Sequence, residues 1–491
     1  MTEATPATVP DKLPEIIQGG MGVAVSDWNL ARAVAKEGQM GVVSGTGIGM
    51  VFASRVWKGD EGGHMRRALE HFPDQDAVKE FLDKYYYEPG QAPKAEPTPR
   101  MYSLKLDKEL ASITVMASFV ETWLAKEGAE EGGKGGLVGF NLLEKAPYPN
   151  LFCLYGAVLA EADAVIMGAG IPWRIPGIID DLIQHKPVEY QVEVTGADKE
   201  DEPQFLRFDP KEVFPAAADW KPLRRPMWIP IVSSMVLAKA LLKRSTGAIN
   251  GFIIEHHTAG GHNAPPRKKL PLDELGQPIY GDKDEVDPEK FGQSFELPYW
   301  LAGGHASHEG LRAAQAAGAQ GIQVGTAFAH SNESGFPADV KKRVIEKSRA
   351  GSLKVLTDGR ASPTGFPFKV LNIEDTLSEQ AVVEERRRVC DLGLLRYAYK
   401  RDNGTIGYRC ASEPVDLFVN KGGDIEETKG RLCLCNALLS AAGVKMEKRD
   451  GYVEPILVTS GDDAEKIARF AKDGADGYSA KDVLDHLLGK S

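Results

Sequence analysis

No run in this chain is apolar over the ~18 residues that a membrane span needs. Residues 1–14 also lack the apolar core of a secretory signal. Positive charge is in short supply: 59 Lys and Arg stand against 70 Asp and Glu, a net charge of −11 spread without long runs. Neither a nucleic acid nor a membrane is therefore an expected partner. Five cysteines in 491 residues are too few for a secreted disulfide framework, and a cytoplasmic protein is expected. A dinucleotide loop is missing as well. Gly45-Thr-Gly-Ile-Gly49 begins like one, but Met50 occupies the place of its third glycine and no acidic partner follows at the right distance.

Glycine, by contrast, is abundant, with 52 residues against a usual ~7%. Many of these glycines end short apolar runs that lack the alternation of a half-exposed strand. The runs begin in Leu13–Gly22 and recur at Met40–Ser44, Leu137–Leu142, Ala164–Gly168, Trp228–Val232, Gly251–Glu255, Tyr299–Ala302 and Gly321–Val324. Helical patterns separate them: Ser26 is placed to cap a helix from Trp28 to Glu37, another ends at Ala125-Lys-Glu-Gly128, and Ser307 caps a third that stops at Gly318. Eight buried strands alternating with helices predict a (β/α)8 barrel, an α/β fold of the TIM type. The chain exceeds the roughly 250 residues of one barrel, so insertions and an appended segment are expected. The reading divides it into a flexible terminus (1–12), a barrel (13–345) and a C-terminal extension of mixed α/β character (346–491). Insertions fall at about 55–108, 186–221 (hairpin-like over Val188–Val194) and 263–297, the last a candidate lid or wall. A final strand at Pro455–Thr459 and a helix capped by Ser460 or Asp462 precede the last helix, which runs to Leu488. Ser362–Lys369 fits neither helix nor strand.

The chemistry concentrates at strand ends. Gly251–Glu255 breaks into His256, His257, Thr258, Ala259, Gly260, Gly261 and His262. Without Cβ atoms, Gly260 and Gly261 let a planar cofactor or a phosphate lie on the main chain. Gly303 with Gly304, and Gln323, Val324, Gly325 and Thr326, end the seventh and eighth strands. In barrels of this kind, main-chain N–H groups there and a short extra helix often hold a phosphate. His256 and His257, read as adjacent strand residues, should point to opposite faces and so make no two-ligand metal site. His305 and His308 read as polar residues near the phosphate. Cys390, Cys410, Cys433 and Cys435 could as four thiolates bind zinc or an iron–sulfur cluster, but they lack C-x2-C spacing. Buried reduced thiols are the default, and no metal is assigned.

Gln18-Gly-Gly-Met21, Val42-Val-Ser-Gly45, Gly139-Phe-Asn-Leu-Leu143, Met167-Gly-Ala-Gly-Ile-Pro172, Ala259-Gly-Gly-His262, Ala302-Gly-Gly304 and Gln323-Val-Gly-Thr-Ala-Phe328 together resemble the nitronate monooxygenase (2-nitropropane dioxygenase) family. Flavin-dependent enoyl-ACP reductases of the same superfamily share the set. The resemblance, running from about residue 13 to 335, implies a TIM barrel with non-covalent FMN. It implies Gly19, Gly20 and Met21 against the flavin ring and Asn141 as its hydrogen-bond partner. Gly260, Gly261, Gly303, Gly304, Gln323, Val324, Gly325 and Thr326 would surround the ribityl phosphate, and His262 would be the catalytic residue. Glu255 and Thr258 depart from the family, which often has Gln and Glu there. The implied activity is oxidation of alkyl nitronates with O2 through flavin reduction. The alternatives are an NAD(P)H-dependent enoyl-thioester reductase and, in another class, a flavin-binding scaffold that docks a partner complex. The substrate is then a small molecule, nitronate or enoyl thioester, and self-association is left open.

Overall fold

The computed structural model describes residues 9–93, 100–128, 135–268, 272–444, 447–448, 450–472 and 474–490. Most of the expected flexible terminus (1–8) lies outside these residues. Eight parallel strands close into a barrel: Ile16–Gln18, Met40–Ser44, Leu137–Leu143, Ala164–Gly168, Met227–Val232, Phe252–Glu255, Tyr299–Ala302 and Gly321–Val324. Closure is made where Ile16, Ile17 and Gln18 pair with Ile322, Gln323 and Val324. All eight runs read from the sequence are therefore barrel strands, with ends moved by a few residues at most.

Both strand faces are buried, which is why the runs show no polar alternation. Ile17, Met40, Val42, Ile166, Ile229, Ile253 and Trp300 fill the barrel interior, and the Trp300 indole donates to the Pro14 carbonyl at 2.9 Å. Outward residues such as Phe140 and Val165 pack under helices Trp28–Lys36, Lys108–Lys126 and Asn150–Leu159. Gly41 and Gly321 pass so close to neighbouring carbonyls, of Ala31 and Glu15, that a Cβ would lie 1.9 and 1.8 Å from them.

Several local expectations are corrected. Asp27, not Ser26, caps the first helix, accepting from the N–H groups of Asn29 and Leu30. Ser26 instead turns inward, where its hydroxyl meets Gln18, Gly19 and Met21. The insertion after Arg55 contains helices His64–Leu69 and Gln75–Tyr85 and buries Phe72, Val78 and Phe81. Val188–Val192 does form a hairpin, with Gln204–Phe208, while Val194–Thr195 pairs instead with Tyr397–Lys400. Pro455–Thr459 is not a strand: it lends only isolated main-chain bonds, such as Leu371 N–H to the Val458 carbonyl at 3.0 Å. The turn after it, Asp462–Phe470, is a 3-10 helix with Gly461 at its N-cap and no side-chain cap.

Past the eighth strand, the chain folds back onto the barrel. Strands Val355–Asp358 and Phe368–Leu371 form an antiparallel pair. Leu371, Val458, Ile467, Val483 and Leu487 share one apolar core with Leu30, Val34, Leu311 and Val324 of the barrel.

Candidate active site

The carboxyl ends of the barrel strands open into a cleft of about 220 Å³. It is lined by all thirteen residues singled out from the sequence: Gly19, Gly20, Met21, Asn141, Gly260, Gly261, His262, Gly303, Gly304, Gln323, Val324, Gly325 and Thr326. They come from the first, third, sixth, seventh and eighth strands, so only closure of the barrel brings them together.

Glycine is required at two places by what surrounds it. Gly20 passes over Asn141 so closely that a Cβ would lie 2.2 Å from the Asn141 Cβ. Gly303 has a φ of +89°, and a side chain there would meet Thr258 and the His256 carbonyl. Two polar atoms on the cleft wall, Gln323 Oε1 and Thr46 Oγ1, are buried without a hydrogen-bond partner among the described residues. Buried polar atoms are normally paired, so orphans facing a cavity mark places where a ligand can bond. The wall also carries Met21, Leu142, Ile231, Leu394 and Leu438, an apolar surface suited to a flat ring. Among the described residues neither lysine nor arginine lines the cleft, while Glu255 and Asp463 do, so an anion there would be met by main-chain N–H groups and hydroxyls.

His262 lies between the barrel and the C-terminal segment. It bridges to Phe368, its ring sits edge-on to Phe368 at 4.8 Å, and its Nε2 is 2.7 Å from the Ser362 hydroxyl. Burial pushes its pKa down to about 4, so the imidazole is neutral at pH 7 and acts through hydrogen bonds rather than as a cation.

Glu255, a departure from the family pattern, carries more than that. It ends the sixth strand inside the cleft, and burial raises its pKa to about 7. The signal was there: an acidic residue closing an otherwise apolar strand. The C-terminal contribution could not be foreseen. Thr459, Ser460, Asp463, Leu434 and Cys435 all line the cleft. Gly461 N–H donates to Thr326 Oγ1 at 2.9 Å, Gly261 N–H to Thr459 Oγ1 at 3.2 Å, and Asp462 N–H to the Thr258 carbonyl at 3.0 Å. The unplaced Ser362–Lys369 stretch is part of this wall, through Phe368 and the Ser362–His262 contact. The insertion at 263–297 is not: among the described residues none of it lines the cleft.

The histidine pair also differs from expectation. His256 and His257 lie past the strand end, where alternation no longer holds, and their rings are 3.9 Å apart. With Glu285 they bring their ligand atoms within 4.8 Å of one another, and His256 Nε2 is 2.7 Å from Glu285 Oε1. His305 lines the cleft, whereas His308 turns away, with its Nδ1 3.1 Å from the Leu487 carbonyl.

Residues 220–364 match the family model described as nitronate monooxygenase. Over that segment, less than half of the chain, the sequence is similar to that family. The segment holds the fifth to eighth strands, with the glycine corners of the last three, and it includes Ser362. Two curated relatives match over 144 residues, 29% of this chain in each case. Both are described as (3aS,4S,5R,7aS)-5-hydroxy-7a-methyl-1-oxo-octahydro-1H-indene-4-carboxyl-CoA dehydrogenase. The one from Rhodococcus jostii (strain RHA1) is 30% identical over 35% of its own length. The one from Mycobacterium tuberculosis (strain ATCC 25618 / H37Rv) is 27% identical over 36%. The chain thus spans about a third of the length of the curated relatives it matches. Among solved structures, FabK from Thermotoga maritima is similar with a TM-score of 0.45 and 15% identity, over 98% of this chain and 93% of that one. That likeness is too weak to carry function. No helix among the described residues is long and apolar enough to cross a membrane.

Proposed function

We propose that the chain is a flavin-dependent oxidoreductase that holds FMN in the cleft and oxidises alkyl nitronates with O2. The observation that supports this most is the convergence in one cleft of strand-end glycines, Asn141, the orphaned Gln323 and Thr46 oxygens and His262. In this reading Gly19, Gly20 and Met21 lie against the ring and Asn141 bonds it. Gly260, Gly261, Gly303, Gly304 and Gln323 to Thr326 surround the phosphate with main chain, Gly261 N–H being held by Thr459 Oγ1, and Ser460 and Thr459 add hydroxyls. When bound, the flavin takes up the substrate's electrons and passes them to O2. The residues supply position and polarity. A nitronate is a planar anion, and N–H donors at the glycine corner stabilise its oxygens. Neutral His262 engages Ser362 through Nε2, while the apolar wall excludes water. The catalytic assignment of His262 is lost if His262→Ala keeps both full flavin occupancy and full turnover.

One observation favours a second reading, an enoyl-thioester reductase using NAD(P)H. Glu255 titrates near neutrality inside the cleft and can deliver a proton there, and the two curated relatives are described as dehydrogenases of a CoA-linked acid. Anaerobic mixing separates the two. Bleaching of the flavin band by propionate 3-nitronate, with NADH and NADPH inert, is the result expected of the monooxygenase. Bleaching by a pyridine nucleotide alone moves the assignment to the reductase.

A further inference from the structure

Beside the main cleft lies a second, smaller cavity, lined by Cys390, Cys410, Cys433 and Cys435. The four come from separate parts of the C-terminal segment. Cys390 precedes and Cys410 follows the strand pair Tyr397–Lys400 and Ile406–Arg409, Cys433 is the N-cap of helix Leu434–Ala441, and Cys435 lies in its first turn. Cys410, Cys433 and Cys435 are buried, Cys390 is half-buried, and all are free thiols. The fold has carried four of the chain's five cysteines, up to 45 positions apart (435 − 390), to one point.

Their arrangement is two by two. Cys390 interacts most strongly with Cys410, and Cys433 with Cys435. A single zinc ion bound at ~2.3 Å needs all four sulfurs mutually close. Among the described residues, however, the three-residue set with ligand atoms all within 4.8 Å is His256, His257 and Glu285, and no three cysteines form one. Four thiols that line one cavity without any three being mutually that close suit a core with two metal ions, each tetrahedral and each taking two thiolates.

We propose that Cys390, Cys410, Cys433 and Cys435 are the ligands of a two-iron, two-sulfide cluster, with one pair on each iron. Such a centre with four thiolates carries net negative charge, and the surroundings supply the opposite sign. Arg396 lines the cavity, and the Arg388 and Arg431 guanidiniums lie close enough to act on Cys410. The Asn436 amide donates to Cys433 Sγ at 3.5 Å, the kind of hydrogen bond that tunes a cluster's sulfurs. The nearby carboxylates have cations of their own: Glu413 is paired with Lys421 and Glu454 with Arg386. Leu395, Leu434 and Cys435 line both this cavity and the main cleft, so the cluster would sit directly behind the cleft wall. The proposal does not depend on the flavin reading.

The test is an assay of iron and acid-labile sulfide on the full-length protein purified without oxygen, repeated after anaerobic reconstitution with ferrous iron and sulfide. Electron paramagnetic resonance is recorded after reduction with dithionite. The expected result is about two irons and two sulfides per chain, falling to background in Cys390→Ser and Cys433→Ser and unchanged in Cys153→Ser. Three results on the wild-type protein would each overturn the proposal, whatever the variants do. They are zinc without sulfide, five reactive thiols with no metal after reconstitution, or fewer than five because the pairs have oxidised to disulfides.

Discussion

Glu255 is the cleft residue whose carboxyl should respond to pH near neutrality. Burial raises its pKa from 4.5 to about 7, so the folded state keeps a proton that the unfolded chain has already released. Stability contributed by that proton is full below pH 4.5 and is lost as pH rises to about 7. Glu255→Gln should therefore melt like the wild type at pH 5 and gain on the order of 2 kcal/mol relative to it at pH 8. A difference that does not change with pH would contradict this. His262 works in the opposite sense. Its pKa is lowered from 6.5 to about 4, so its contribution is present above pH 6.5 and is lost as pH falls towards 4. Its ring nitrogens, followed by NMR, should stay those of a neutral imidazole from pH 8 down to 5. Gly20 answers to sterics alone: Gly20→Ala drives a methyl into Asn141 and should abolish flavin retention while leaving the far side of the barrel intact. Full retention would show that this close approach of Gly20 to the Asn141 side chain is not needed.

The elements were unevenly legible. Strands buried on both faces announce themselves as apolar runs ending in glycine, and all eight were visible because barrel closure demands that pattern. Caps were harder. Ser26 and Asp27 are both good N-cap residues, and the choice was made by Gln18 and Met21, which claim the Ser26 hydroxyl from far along the chain or across a turn. The strand ends and glycine corners of the site were readable because they lie within single short motifs. The part of the wall made by residues 362–463 was not, since its contacts, such as Ser362 with His262 or Gly461 with Thr326, span a hundred residues or more. Two ion pairs test how elements are held. Buried Glu121 accepts from the Trp28 N–H and from Arg55, which also reaches Asp27 at 3.0 Å. Arg55→Met leaves that carboxylate without its cation and should cost about 3 kcal/mol in chemical denaturation. Lys369, almost fully buried, donates to Asp462 at 2.7 Å, and its N–H donates to the Gly261 carbonyl at 2.9 Å. Lys369→Met should lower stability by about 1 kcal/mol and speed amide exchange at Gly261 and Gly461. Unchanged exchange would mean that the ion pair does not secure the corner.

At the scale of the whole molecule, the barrel and the segment after it share their core and their cleft. Removing everything past residue 345 would strip Leu371, Val458, Val483 and Leu487 from a common apolar cluster and open one wall of the cleft. Such a chain is expected to aggregate rather than bind flavin, and a soluble, yellow 1–345 fragment would refute the shared-core account. That dependence matters for function, because the cleft would hold its ligand between glycine corners on the barrel and hydroxyls beyond it. The most direct test is to denature the purified full-length protein and identify and count the chromophore released. One FMN per chain is the predicted result. Release of no flavin from protein folded in the presence of excess FMN would contradict the central claim.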